Sequence, residues 1–129
     1  MEDYTLLLKD LLKKDVNDIK VEGLSERMKK EFENTAENFI LKEAYEEAVK
    51  TFALTKNFDK LNKLGNELIS KNKLNYALKA FLYSKNKDGL DKVGMLLMSN
   101  GDLNEAYLAF KNSGNVEMTR FIEENLLNK

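Results

Sequence analysis

The sequence predicts an all-α protein made of about three copies of one helical hairpin, and three observations predict it. First, residues 32–129 repeat with a period of 29. Phe52, Phe81 and Phe110 share a column, as do Ala48, Ala77 and Ala106, and Asn57, Asn86 and Asn115. Other columns hold by type: Thr55, Ser84, Ser113; Thr35, Leu64, Val93, Ile122; Ala36, Gly65, Gly94; Phe39, Leu68, Leu97, Leu126. A period shared by so many columns means one supersecondary unit, copied and stacked. Second, apolar residues within each copy fall at helical spacing, giving one stripe per helix. Third, the chain has no proline, so no helix interior is broken for that reason.

The elements follow in order. Leu6, Leu7, Leu8, Leu11 and Leu12 predict a helix over about residues 3–14. Asp15 to Gly23 is less regular. Ser25 suits an N-cap, and its helix runs to about residue 41. Residues 1–31 thus form an N-terminal helical cap on a single domain, 1–129. The first copy, 32–60, uses Phe32, Thr35, Ala36, Phe39 and Ile40, then Tyr45, Ala48, Val49, Phe52 and Thr55. The second, 61–89, uses Leu61, Leu64, Gly65, Leu68 and Ile69, a break at Lys71-Asn72-Lys73, then Leu74, Ala77, Leu78, Phe81 and Ser84. The third, 90–118, uses Leu90, Val93, Gly94, Leu97 and Met98, then Leu103, Ala106, Tyr107, Phe110 and Ser113. Residues 119–129, with Ile122, Leu126 and Leu127, begin a fourth copy and read as a C-terminal capping helix.

Turn residues agree with these breaks. Gly101 suits a left-handed helix end, and Asp102 an N-cap with Glu105 at capping-box spacing. Asn57, Asn86 and Asn115 stand between copies, where asparagine accepts positive φ or caps a helix start. Gly114 strengthens the last break. Gly65 and Gly94 fall mid-helix, where glycine costs about 1 kcal/mol against alanine. Close helix approach explains them, with Ala48, Ala77 and Ala106 facing them and the phenylalanines filling the space beside. Tyr107 reads as core.

Composition excludes several functions. The chain has neither cysteine nor histidine, so disulfides, thiolate metal sites and the commonest general base are absent. Adjacent carboxylates such as Glu46-Glu47 and Glu123-Glu124 point apart on a helix, and no Gly-rich phosphate loop occurs. The expectation is a non-enzyme with no metal and no cofactor. Net charge is −1 with mixed signs, which disfavours nucleic acid as a partner, including by stacking on Tyr76, Tyr83 and Tyr107. No apolar run is long enough to span a bilayer, and Met1-Glu2-Asp3-Tyr4 lacks a signal-peptide layout. A cytoplasmic location is expected.

The columns resemble the tetratricopeptide repeat over residues 32–129. The pattern falls on Leu61, Leu64, Gly65, Leu68, Ala77, Phe81 and Ser84, and again on Leu90, Val93, Gly94, Leu97, Ala106, Phe110 and Ser113. The Gly-to-Ala interval of 12 and the Ala-to-Phe interval of 4 match. The period of 29 departs from the usual length of about 34, and the boundary proline is missing. The deficit lies between Ser84 and Leu90, so the second helix of each hairpin is short. Such short units are similar to the solenoid parts of coatomer and intraflagellar-transport subunits, without the β-propellers that precede them there. The resemblance implies a right-handed α-solenoid.

It also implies a concave groove lined by the first helix of each hairpin. Carried over by column, the candidate partner-binding residues are Glu33, Glu37, Asn62, Asn66, Ile69, Asp91, Met95 and Met98. The lysine, asparagine and arginine clamp with which some relatives grip a peptide carboxylate is not reproduced. A basic, amphipathic protein segment complements the groove better. Met95 and Met98 suit either core filling or an adaptable surface. Asp59 and Asp88 read as dipole charges at helix starts. The function expected is a non-catalytic protein–protein interaction module, monomeric or weakly dimeric. The alternative is a structural subunit of a coat-like or scaffold assembly that uses its ends or convex face. Exposed apolar residues on Leu6–Leu12 or on the Phe121 helix would favour that alternative.

Overall fold

The computed structural model describes residues 4–20 and 22–127. The outermost residues of the two predicted caps, 1–3 and 128–129, lie outside the described residues, as does Val21. Eight α-helices and no strand occur among the described residues. They are α1 (Thr5–Leu12), α2 (Glu26–Leu41), α3 (Tyr45–Leu54), α4 (Phe58–Ser70), α5 (Leu74–Ser84), α6 (Lys87–Ser99), α7 (Leu103–Ser113) and α8 (Val116–Ile122). A 3-10 turn spans Val16–Asp18 and a π-helical turn Glu123–Leu127. None of the helices is long and apolar enough to cross a membrane.

The recurrence in sequence is also a recurrence in backbone. Helices α4, α6 and α8 start 29 residues apart, and so do α3, α5 and α7. All six described residues with left-handed backbone fall in two columns of the same period. Glu43, Asn72 and Gly101 (φ 59°, 59° and 84°) close the first helix of each copy. Lys56, Lys85 and Gly114 (φ 57°, 56° and 79°) close the second. Each closure carries the same bond, an N–H donated one residue later to a carbonyl five residues back. It runs from Ala44, Lys73 and Asp102 to Phe39, Leu68 and Leu97, at 2.8–2.9 Å. It runs again from Asn57, Asn86 and Asn115 to Phe52, Phe81 and Phe110, at 3.0–3.2 Å. This is the Schellman geometry, which satisfies carbonyls that the helix end would otherwise strand.

Caps fix the starts. Ser25 Oγ accepts from Met28 N at 3.1 Å, as predicted. Asn57, Asn86 and Asn115 accept from the N–H three residues on, at 3.2, 2.9 and 3.1 Å. They are therefore N-caps, and the residue before each takes the positive φ. The folded unit accordingly starts three residues before the expected boundaries, and α8 begins at Val116 rather than at 119. Asp102 is the residue before α7, but its side chain makes no capping bond, so that expectation fails. Helix α1 is shorter than the leucines suggested, because the chain turns after Leu12 and Asp15 then accepts from Asn17 N to start the 3-10 turn.

Contacts gather into two compact units, residues up to 61 and residues from 62. In the first, α2 packs on α3, and α1 lies against both. Leu8, Phe32 and Leu54 form a buried cluster flanked by Tyr4, Leu11, Leu12, Met28 and Phe39. Lys50 Nζ donates to the Leu12 carbonyl at the end of α1, at 3.2 Å. In the second unit, α5 packs on α6, α6 on α7 and α7 on α8. Phe52, Phe81 and Phe110 are fully buried, and so are Ala48, Ala77 and Ala106.

The glycine column works differently from the expectation. A Cβ on Gly65 would lie 2.6 Å from Phe81 Cζ, and one on Gly94 would lie 2.9 Å from Phe110 Cζ. The phenyl ring, not the alanine column, occupies the space that glycine opens. Phe81 also meets Gly89, where a Cβ would lie 2.5 Å from its Cδ1. A further buried column, Thr51, Ala80 and Ala109, was not picked out by periodicity. Its residues are small, so they leave no hydrophobic signature.

Candidate functional site

The candidate residues sit on the first helix of each copy. Glu33 and Glu37 are on α2, Asn62, Asn66 and Ile69 on α4, and Asp91, Met95 and Met98 on α6. Their surroundings differ sharply.

Glu33 is half-buried, and its Oε2 accepts two bonds. Thr55 Oγ1 donates at 3.0 Å and Asn57 Nδ2 at 2.8 Å. Asp91 stands 58 positions later, two periods on, and does the same. Ser113 Oγ donates to its Oδ1 at 2.6 Å and Asn115 Nδ2 at 3.3 Å. Each carboxylate thus joins a first helix to the end of the second helix and to the cap of the next. Bonds to an ionised acceptor are stronger than neutral ones, so these clasps hold the junctions firmly. The same asparagine serves twice, its Oδ1 capping the helix and its Nδ2 gripping the carboxylate.

Asn62 occupies the equivalent position in the second copy. Its Oδ1 is buried and has no hydrogen-bond partner. Ser84 Oγ keeps only the bond that Thr55 and Ser113 also make, to the carbonyl three residues back, here Phe81 at 3.4 Å. The three-residue clasp is therefore complete at the first and third junctions and incomplete at the second.

The remaining candidates are more open. Glu37 is exposed and pairs with Lys60 Nζ at 3.0 Å. Asn66 and Met95 are exposed, while Ile69 and Met98 are half-buried. Met95 is thus surface rather than core filler. Asp59 and Asp88 are exposed in the first turns of α4 and α6, where their charge favours the helix dipole. Beside the first clasp, a cleft of about 590 Å³ is walled by Lys29, Lys30, Glu33, Asn57, Phe58 and Asp59. Its charges are mixed.

Each unit also presents apolar side chains to solvent. On α1, Leu6 is 77% exposed and Leu7 41%, beside a cleft bounded by Leu12, Phe39 and Glu47. On α8, Val116 is 65% exposed and Phe121 47%. Tyr107 is half-buried rather than core, and its hydroxyl donates to Glu123 Oε1 at 2.6 Å. That bond, helped by partial burial and the carboxylate charge, raises the tyrosine above its ordinary value of 10.0.

Sequence reading had both rows of the clasp in view, the hydroxyl column and the asparagine column, without joining them to the acid column. The usable signal was spacing within the chain. An acid at 33 and at 91 has a hydroxyl 22 residues later and an asparagine 24 residues later, and the second copy keeps Ser84 and Asn86 at that spacing with Asn62 in the acid's place. No protein-family model matches the chain, and no curated protein or solved structure matches it either.

Proposed function

We propose that the chain is a non-catalytic protein-interaction module, a short-period, tetratricopeptide-like α-solenoid whose hairpins hold a partner protein. The single observation that carries this reading is the 29-residue recurrence of helix starts, left-handed closures and buried phenylalanines. A stack of identical small units builds extended surface and little else, and such surfaces serve recognition. Glu33 and Asp91 are engaged inside the fold, so the groove reading rests on Glu37, Asn66, Ile69, Met95 and Met98. A basic or amphipathic segment fits that set.

The alternative, a structural subunit working through its ends, draws support from the exposed Leu6, Leu7, Val116 and Phe121. Exposed apolar side chains of this size mark contact surfaces when they cluster.

One experiment separates the two. Partners captured from the native cell extract are compared for the unaltered chain, a Glu37→Lys/Asn66→Lys/Met95→Lys variant and a Leu6→Glu/Phe121→Glu variant. Loss of a partner with the first variant only supports the groove. Loss with the second only supports the ends. A partner retained by both sinks both surfaces. Light scattering on the same proteins reports any dimer that the second variant dissolves.

A further inference from the structure

We infer that the chain has a release point in its second repeat, at the junction of α5 with α6, which opens before the matching junctions at α3–α4 and α7–α8. Four observations converge on it, and none depends on what the protein binds.

The first is the missing clasp. Glu33 with Thr55 and Asn57 locks the first junction, and Asp91 with Ser113 and Asn115 locks the third. The second keeps the donors Ser84 and Asn86 but has Asn62 in place of the acid. The second observation is that Asn62 Oδ1 is buried without a partner. A buried polar atom left unpaired destabilises the closed form and is relieved when the junction opens to water.

The third is the left-handed residue. The third junction spends Gly114 there, where positive φ carries no steric cost. The first spends Lys56 but has its clasp. The second spends Lys85 and has no clasp, so it alone lacks both supports. The fourth is the way the junction is closed. The Phe81 ring sits in a slot between Gly65 on α4 and Gly89 on α6, where no Cβ fits. Lys60 and Met118 occupy the Gly89 column in the other copies. Gly65 and Gly89 thus both open space for this one ring, at a cost in helix propensity to α4 and α6. The Asn86 cap and the closing bond to the Phe81 carbonyl are kept. What the second junction lacks is the pair of bonds to a carboxylate, and the Phe81 ring in its slot holds it without them.

Low-stability elements of this kind are where native proteins open locally. Hydrogen exchange on the intact chain under native conditions tests the idea. Backbone amides of residues 82–90 should exchange about tenfold faster than those of 53–61 and 111–119. Asn62→Asp rebuilds, residue for residue, the Asp–Ser–Asn clasp of the third junction. It should slow exchange at 82–90 about tenfold, roughly the worth of one charge-assisted bond. Asp91→Asn should quicken exchange at 111–119 by a similar factor. Equal protection of the three junctions in the unaltered chain would overturn the inference. So would an Asn62→Asp protein whose second junction exchanges as before while Asp91→Asn loosens the third. Should Asn62→Asp not fold, the unaltered profile and Asp91→Asn still decide the matter.

Discussion

Helices α3 and α7 occupy the same place in their copies, yet their surfaces are opposites at two columns. Ala53 and Leu54 of α3 are buried, and Leu54 closes a cluster with Leu8 and Phe32. Their counterparts on α7 are Lys111 and Asn112, both exposed. The backbone is the same, and the closures behind the two helices match within the Schellman pattern. What differs is the neighbour, because α1 lies on α3 and nothing equivalent lies on those positions of α7 among the described residues. The repeat thus fixes a scaffold of shared columns, Phe, Ala and the left-handed turns. Residue type elsewhere is set by whatever covers each copy.

The sharpest way to break this comparison is to exchange the divergent residues. Leu54→Asn should cost about 3–5 kcal/mol, since it removes buried apolar volume and buries an amide. Asn112→Leu should change stability by less than about 0.5 kcal/mol. Urea melts of the two variants would settle it, and similar losses would mean that α1 does not cover α3.

A second exchange acts on a shared column. Gly94→Ala drives a Cβ against the Phe110 ring and should cost about 1–3 kcal/mol. Ala36 already carries a Cβ at the same position of the first copy. Ala36→Gly should cost about 1 kcal/mol through helix propensity, with any cavity adding to it. Were Gly94→Ala neutral in a urea melt, the ring would have room that the closeness of the atoms denies.

The left-handed columns give a smaller effect of opposite sign. Glu43→Gly and Lys56→Gly should each raise stability by about 0.5–1 kcal/mol, since they relieve positive φ at a residue with a Cβ. Gly101→Glu and Gly114→Lys should lower it by a similar amount. Thermal melts of the four variants check both signs at once.

The smallest effect is a pH dependence confined to the third copy. Tyr107 there has Val49 as its counterpart in the first copy, which cannot titrate. The folded protein holds the Tyr107 proton more tightly than the unfolded chain, because Glu123 accepts from the hydroxyl. That stabilisation is therefore fully present below pH 10.0 and is lost as pH rises through the higher folded value. Urea midpoints should fall on the alkaline side, and Tyr107→Phe should flatten that fall. A fall unchanged by the substitution would assign it to other groups.

Burial was the part of the fold most legible in the sequence. Period and hydrophobic spacing located Phe52, Phe81 and Phe110 in the core, α2 from its Ser25 cap to Leu41, and the breaks at the three asparagines. Two kinds of feature escaped. Left-handed Glu43, Lys56 and Lys85 carry no residue signal of their own, and only their alignment with Gly101 and Gly114 reveals them. Backbone shape there is set by the closing bonds, so side chains are free to drift. The candidate site was legible as a set of positions and not as a set of states. Glu33 and Asp91 look like surface acids in sequence, and only the fold brings a hydroxyl and an amide to each. Tyr107 misled because an aromatic at an apolar spacing reads as core, whereas its hydroxyl leads it outward to Glu123.

The bond pattern at the closures has a practical corollary. Since those hydrogen bonds use only main-chain atoms, the third copy can serve as a template for building. A synthetic array in which residues 90–118 follow one another head to tail would place glycine at every bend and Asp–Ser–Asn at every seam. Such an array should lengthen by whole copies, with each added copy making the product harder to melt.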